Sequence, residues 1–517
     1  MTNEWSFGAI FARLGEVVDG DTPALIHGDH VTRWRDFDRR TNALAVAFLA
    51  TGAQPGDKVA HLMHNSPAYL ETTIAAFKAR LVHVNVNYRY TGPELHYILD
   101  NSDAVILVHD AEFTGLVGAL DLPKLRLTLE VGPAFDAAAE SGAALPSQDH
   151  RGDDMLFIYT GGTTGMPKGV MWDQAALWTL LGGGGTPALG VAACASHGEL
   201  FDHVRAGTVV SRSLIMPPLM HGSGFLIAIY TLARGGSVVT LAGHGFVPQE
   251  AIQACEVHKP DYAVIVGDAF ARPLLKALDA GAGSIGSLKT MISSGTMWSP
   301  EIKAGLLGHN PALIIVDALG SSEGLGLGTA VQTSANAGAA TRFVHDANTI
   351  ILDEDMKPVQ PGSGVMGRVA RGGLIPRGYY KDPVKSAATF VEVGGTRYSL
   401  PGDWATVDAD GSMILFGRGS HCINTGGEKV FPEEVEEALK THALVEDALV
   451  FGVADEKWGQ AVTAVVEAPG ANPADLAAHV RTTLAAYKAP KRIVIVPQVP
   501  RAPNGKADYA RAKELAV

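Results

Sequence analysis

Between residues 58 and 109 the chain alternates short apolar runs with segments of helical spacing, and this alternation narrows the fold more than any other feature. Residues 58–63, 82–86 and 104–109 read as strands; residues 67–79 and 92–101, between them, read as helices. Strands separated by helices are the pattern of a parallel sheet with crossover helices, so the fold class is α/β. Upstream, residues 5–18 and 32–49 have amphipathic helical spacing, and residues 24–29 read as a hairpin. Downstream, strands are expected over 209–217, 236–241, 262–266, 288–293 and 313–317, with helices over 252–258 and 272–280. The Gly/Ala-rich residues 181–198 read as an irregular surface excursion.

After about Leu327 the pattern changes to short strands and Asp/Gly turns, which predicts a small β-rich unit reaching Gly417. From Pro432 the order is helix, strand, strand, helix, strand, a separate α+β block. Pro432 at the first helical position, followed by Glu433 and Glu434, favours a helix start there, because proline loses no needed donor and acids face the positive helix end. A chain of 517 residues also exceeds what one core organises.

Composition removes several function classes. The formal charge of −13 lacks the basic face that a general nucleic-acid binder needs, so no nucleic-acid partner is expected. Cys194, Cys255 and Cys422 lie far apart, with neither disulfide nor metal spacing, which points to a reducing compartment. No apolar run approaches 18 residues and the first residues lack a basic leader, so a cytoplasmic protein without a transmembrane segment is expected.

The chemistry-bearing stretch is Tyr159-Thr160-Gly161-Gly162-Thr163-Thr164-Gly165-Met166-Pro167-Lys168-Gly169, after an apolar run that reads as a strand end. Glycines let successive N–H groups turn toward one point, threonine hydroxyls add donors and can ligate Mg²⁺, and Lys168 adds a mobile positive charge. The stretch reads as a polyphosphate loop, or as a Gly/Thr-rich surface loop. It is not a Walker loop, since Pro167 precedes Lys168. Gly362-Ser363-Gly364-Val365-Met366-Gly367 matches G-x-G-x-x-G, but strand-like residues follow it where a dinucleotide site needs a helix, so it reads as a Gly-rich turn.

The loop at 159–169 resembles the phosphate loop of the adenylate-forming superfamily, which includes acyl-CoA synthetases, peptide-synthetase adenylation domains and luciferases. Gly161 stands where that family usually has Ser. Further stretches resemble family motifs in the family's order. Pro217-Pro218-Leu219-Met220-His221-Gly222-Ser223-Gly224 resembles the segment near the activated carboxylate. Ser294, Gly295 and Thr296 fall in the adenine-binding turn. Asp317-Ala318-Leu319-Gly320-Ser321-Ser322-Glu323-Gly324 resembles Tyr-Gly-x-Thr-Glu, with Leu319 replacing the aromatic that stacks on adenine. Asp403 matches the ribose-binding Asp, Arg418 a ribose or phosphate contact, and Ser420 the hinge. Asn424 to Pro432, with Gly426, Gly427 and Lys429, resembles the loop that lines the pantetheine tunnel. Pro500-Arg501-Ala502-Pro503-Asn504-Gly505-Lys506 resembles the catalytic-lysine loop.

The resemblance implies an acyl-CoA synthetase that uses ATP, Mg²⁺ and coenzyme A. Attack of a carboxylate on the α-phosphate gives an acyl-adenylate and pyrophosphate, and a thiol then displaces AMP. Thr163, Thr164, Lys168 and Lys506 would neutralise phosphate charge, with Glu323 and Thr164 holding the metal. His221, Gly222, Gly267 and Gly324 would border the acyl pocket, for a fatty or bulky alicyclic acid. Residues 1–418 would form the adenylation domain, and residues 419–517 a mobile C-terminal domain pivoting near Ser420. The resemblance leaves room for a homodimer. Two other readings stay open: an adenylating enzyme that loads a carrier protein in trans, and a weakened ATP/acyl-binding protein.

Overall fold

A computed structural model describes residues 5–160, 166–186, 190–207, 211–296, 298–425, 428–455, 459–503 and 505–516, leaving aside the side chains of Arg418, Ser420, Asn424 and Lys429. Two large sheets form the body. The first runs Gly378–Tyr379, Lys168–Asp173, Met155–Thr160, Val82–Asn85, Lys58–Leu62, Ala104–His109, Leu127–Glu130. From Met155–Thr160 onward its neighbours are parallel, as the strand–helix alternation predicts. The second runs Gly324–Gln332, Ile314–Ser321, Thr290–Ser294, Tyr262–Ile265, Arg212–Ile215, Ser237–Thr240, Pro23–His27, His30–Arg33, parallel inside and antiparallel at both edges. Val82–Asn85 and Ala104–His109 are buried along their whole length, because helices cover both faces of such a sheet.

Helix Pro67–Lys78 starts at a proline and is buried from Ala68 to its end, so its two charges need partners. Glu71 accepts Arg40 Nε and Nη2 at 2.7 and 3.0 Å. Lys78 Nζ donates to Asp38 Oδ1, Thr41 Oγ1 and Asn42 Oδ1 at 2.7, 2.9 and 2.8 Å. Helix Gly222–Ala233 is apolar nearly all round and almost wholly buried, so it carries no amphipathic period and the sequence reading does not assign it. Helix Asp268–Asp279 begins four residues before the expected start at Arg272, and Pro273 sits inside it.

The stretch expected to be a surface excursion is partly buried. Gly182 to Gly185 pack inside, where a Cβ on Gly184 would lie 2.7 Å from Cys194 Sγ and one on Gly185 would lie 2.1 Å from the Ala192 carbonyl. The glycines serve close backbone approach rather than exposure. Residues 187–189, in its middle, lie outside the described residues.

The β-rich unit is a six-stranded sheet between Thr349 and Arg418, and a five-stranded sheet with helices Pro432–Lys440 and Pro473–Thr483 follows it. Strand Gly324–Gln332, partly inside the segment where the change was expected, belongs instead to the second large sheet. Glu434 Oε1 accepts the Phe431 N–H at 3.2 Å, closing the start of helix Pro432–Lys440. Gly362 and Gly364 take positive φ (74° and 70°), and Gly367 opens strand Gly367–Arg371 rather than a helix. A Cβ on Gly367 would stand 2.5 Å from the Leu352 carbonyl oxygen. Gly367→Ala is therefore expected to cost about 1–3 kcal/mol through overpacking, read as a lower denaturation midpoint.

Candidate active site

A cavity of about 450 Å³ opens where the second sheet, the hairpin 155–173, the β-rich unit and the C-terminal α+β unit meet. Strand ends of the second sheet supply Ser294, Gly295, Thr296, Asp317, Leu319, Gly320, Ser321, Ser322 and Glu323; the hairpin supplies Thr160 and Lys168. Asp403 enters from the β-rich unit and Lys506 from the C-terminal unit. Thr160 and Lys168 face each other in the antiparallel register, so the residues entering and leaving the phosphate-type loop stand side by side. Residues 161–165, which include Gly161, Gly162, Thr163, Thr164 and Gly165, lie outside the described residues, as do Gly426 and Gly427 and the side chains of Arg418, Ser420 and Lys429.

Glu323 is held from several sides. The Tyr379 hydroxyl donates to its Oε1 at 2.9 Å, and Ser399 Oγ donates to its carbonyl at 2.6 Å. Trp172 Nε1–H, from the hairpin, donates to the Ser322 carbonyl at 2.8 Å, tying the two sheets together at the cavity. Lys168 Nζ sits 4.8 Å from the centre of the Tyr379 ring, close enough for cation–π attraction. A cavity-lining carboxylate fixed in this way is the hard oxygen donor that Mg²⁺ takes, so Glu323 fits that ion.

Lys506 is placed by its neighbour. Gly505 has φ 76°, and a Cβ there would lie 2.6 Å from Ala269 Cβ and 3.3 Å from the Val266 carbonyl. The lysine loop is thus pressed on the Val266–Ala269 turn, and Lys506 Cε comes within 3.6 Å of the Cβ position of Gly295. His221 is the residue just before helix Gly222–Ala233. Its Nε2 is buried without a hydrogen-bond partner among the described residues, and burial together with the positive charge of Lys506 pushes it down to about 3. It is a neutral imidazole beside a cation.

The acyl-pocket candidates are more scattered. Gly222 opens the apolar helix, with Ile158 Cδ1 3.8 Å from its Cβ position. Gly267 takes φ 52° just before helix Asp268–Asp279 and donates its N–H to Ser293 Oγ at 2.8 Å. Gly324 faces Arg371, Ser399 and Pro401. None of these three lines the cavity.

A group of buried charges also stands on the cavity wall, and the sequence reading gives a site role only to Asp317 among them. Asp268 accepts Ser299 N–H and Oγ–H at 2.9 and 2.5 Å and pairs with Arg272 at 3.2 Å and Lys440 at 3.5 Å. Burial alone would raise its carboxyl, but Lys440, Arg272 and Ser299 together hold it below the ordinary value. Glu436 accepts the Val450 N–H at 2.8 Å, and burial pushes it up to about 7 against the charges of Lys440 and Arg501. Arg501 clamps Asp447 at 2.5 and 2.7 Å. Asp317 is paired with buried Lys303, yet burial still raises its carboxyl. Short-range motifs do not reveal these partners, because they come from distant segments; only Arg501 and Asp317 fall inside a quoted motif.

The glycines flanking position 418 leave little room for a side chain. A Cβ on Gly417 would lie 2.1 Å from Glu433 Oε2, and one on Gly419 would lie 2.2 Å from Trp404 Nε1.

This fold and this cavity define an adenylating enzyme, and the chain belongs to the AMP-binding enzyme family, which matches residues 16–380, with the family's C-terminal domain matching residues 434–506. It is 40% identical over 520 residues to the 3-oxocholest-4-en-26-oate–CoA ligase of Rhodococcus rhodochrous, covering 95% of this chain and 92% of that one. It is 39% identical to the medium/long-chain-fatty-acid–CoA/3-oxocholest-4-en-26-oate–CoA ligase of Mycolicibacterium smegmatis, covering 96% of this chain and 94% of that one. The anthranilate CoA ligase AuaEII in complex with anthranoyl-AMP shares the fold, with a TM-score of 0.85 and 21% identity over 100% of this chain and 98% of that one. Among the described residues no helix is long and apolar enough to cross a membrane.

Two outcomes follow from this geometry. Gly505→Ala strains a positive φ and collides with Ala269, so ATP–pyrophosphate exchange is expected to fall at least about tenfold, in line with the cost of a small misplacement at a reacting centre. Glu436 holds its proton more tightly when folded, about 7 against an ordinary 4.5. Its contribution to stability is therefore full below about 4.5 and declines as pH rises through about 7. Glu436→Gln should flatten that decline, read as melting midpoint against pH.

Proposed function

We propose that the chain is an ATP-dependent acyl-CoA synthetase that activates a carboxylic acid as the acyl-adenylate, releasing pyrophosphate, and then forms the CoA thioester, releasing AMP. One observation carries the reading: Lys168, Glu323, Asp403 and Lys506, from four distant parts of the chain, line a single cavity. A carboxylate is a poor acyl donor, since oxide is a bad leaving group. Exchanging it for AMP requires charge neutralisation where the α-phosphate is attacked, and Lys506 is the cation for that position. Thr160, Lys168 and the loop residues Gly161 to Gly165 bind the phosphates. Mg²⁺, held by Glu323 and Thr164, supplies charge to the phosphate oxygens when bound.

Asp403 accepts the ribose hydroxyls, with Arg418 beside it. The adenine lies between the Ser294–Thr296 turn and the wall formed by Leu319, Gly320 and Ser321. Leu319 takes the place of a stacking aromatic, with Phe343 packed beside it as further apolar surface. The neutral imidazole of His221 borders the carboxylate without competing for Lys506 as a second cation. Residues 1–418 form the adenylation unit and residues 419–517 the unit that delivers Lys506, then Gly426, Gly427 and Lys429 toward the pantetheine. The substrate class is a medium- or long-chain fatty acid or a steroid side-chain acid, supported by the relatives that act on such acids.

The test is AMP release with ATP, Mg²⁺ and a panel of short, aromatic, long-chain and steroid side-chain acids, with and without CoA. CoA-dependent AMP with fatty or steroid acids is expected. Pyrophosphate exchange without CoA-dependent turnover would overturn the CoA assignment. Lys506→Ala is expected to lower exchange about 10²–10³-fold, the loss typical of one transition-state charge contact.

A further inference from the structure

Away from the cavity, His64, Glu112 and His244 come together from three separate parts of the chain. His64 follows strand Lys58–Leu62, Glu112 sits in the turn Ala111–Phe113 after strand Ala104–His109, and His244 follows strand Ser237–Thr240. Two of these strands belong to the first large sheet and the third to the second. His64 Nε2 and Glu112 Oε1 are 2.8 Å apart. The rings of His64 and His244 are stacked, 4.1 Å between centres and 11° between planes. One ligand atom from each of the three residues lies within 4.8 Å of the others.

We propose that this cluster is a binding site for a divalent transition metal of the zinc, cobalt or nickel class. Four-coordinate Zn²⁺, with bonds of about 2.0–2.2 Å, spaces its ligand atoms about 3.3 Å apart, so these atoms need to close by about 1.5 Å at most, and the stacked rings must turn out of parallel because an imidazole binds a metal in its own plane. His244 and Glu112 are exposed, so rotation of their side chains supplies that movement, and the same exposure gives the ion a way in. His64 is the fixed member. Its backbone N–H donates to Asp110 Oδ2 at 2.7 Å, and its ring lies 4.1 Å from that of Tyr88.

Two imidazoles and a carboxylate favour a borderline transition metal over Mg²⁺ or Ca²⁺, which take oxygen sets. Three protein ligands leave one position for water or another ligand. Asp110, whose Oδ2 accepts the His64 N–H, is the residue before the turn that carries Glu112.

A bound ion would tie the two sheets together. Asn65, adjacent to His64, donates to the Pro217 carbonyl at 3.0 Å and accepts the Leu219 N–H at 2.6 Å, in the segment that ends at His221. The ordinary alternative is a His64–Glu112 hydrogen bond with His244 stacked upon it, and the two differ in metal uptake.

The experiment uses the full chain, stripped of metal by a chelator and kept free of nucleotide. Co²⁺ is titrated while visible absorption is recorded, with Zn²⁺ added in competition, for the wild type, His244→Ala and Glu112→Gln. Both substitutions are at exposed positions, and equal melting midpoints without metal check that the variants fold. Loss of one ligand should weaken binding at least about tenfold, because even outer-shell partners of metal ligands are worth about 10–100-fold. Saturable uptake of one Co²⁺ by the wild type, displaced by Zn²⁺ and weakened in both variants, is expected. Zn²⁺ should then raise the wild-type melting midpoint and not that of the variants, since it binds the native state. Equal uptake by all three proteins, or no uptake by the wild type, would overturn the assignment.

Discussion

The carboxylate of Asp268 is the contact on which the cavity depends. It lies at the first residue of helix Asp268–Asp279, where the helix dipole favours negative charge. It is nearly out of solvent, which is costly for an anion without compensation. Ser299, Arg272 and Lys440 provide that compensation, and each belongs to a different element. Lys440 sits on the C-terminal unit, so the pairing also brings that unit against the second large sheet. Ser299 Oγ extends the link to Glu437 at 3.1 Å. The adjacent residues Val266 and Ala269 are the surface on which Gly505 rests. One buried anion thus orders the turn, the helix start and the seat of the lysine loop.

Charge is arranged with some economy around that point. Arg501 satisfies Asp447 and faces Glu436, while Lys440 pairs with Glu437 at 2.5 Å as well as with Asp268. Glu436 is left as an acid whose charge burial disfavours. Buried ion pairs of this kind gain little net stability over apolar packing, but a lone member is strongly unfavourable. Their arrangement therefore specifies which surfaces meet more than it adds to overall stability.

Much of the fold was legible in the sequence because period and punctuation agree there. The strands after Lys58, Val82 and Ala104 and the helices starting at Pro67, Gly92 and Pro432 fall within a residue or two of their expected bounds. The reading failed where a local signal was missing or ambiguous. Helix Gly222–Ala233 has no polar face to give a period, and helix Asp268–Asp279 starts four residues ahead of the expected bound. The glycines at 182–185 look like a surface loop in one dimension and prove to be contact points in three. At the cavity, Lys168, Glu323, Asp403 and Lys506 belong to recognisable strings. Tyr379 and Lys440 do not, since their partners are set by long-range packing that no short motif encodes.

The hydrogen bond from Trp172 to the Ser322 carbonyl has a geometric outcome of its own. Trp172 is fully buried, so it cannot adjust as a surface tie could. It fixes the hairpin that carries Thr160 and Lys168 against the turn that carries Glu323. The distance between these two walls is then a property of the protein rather than of its ligand. Two walls tied in this way set the width open to whatever enters between them.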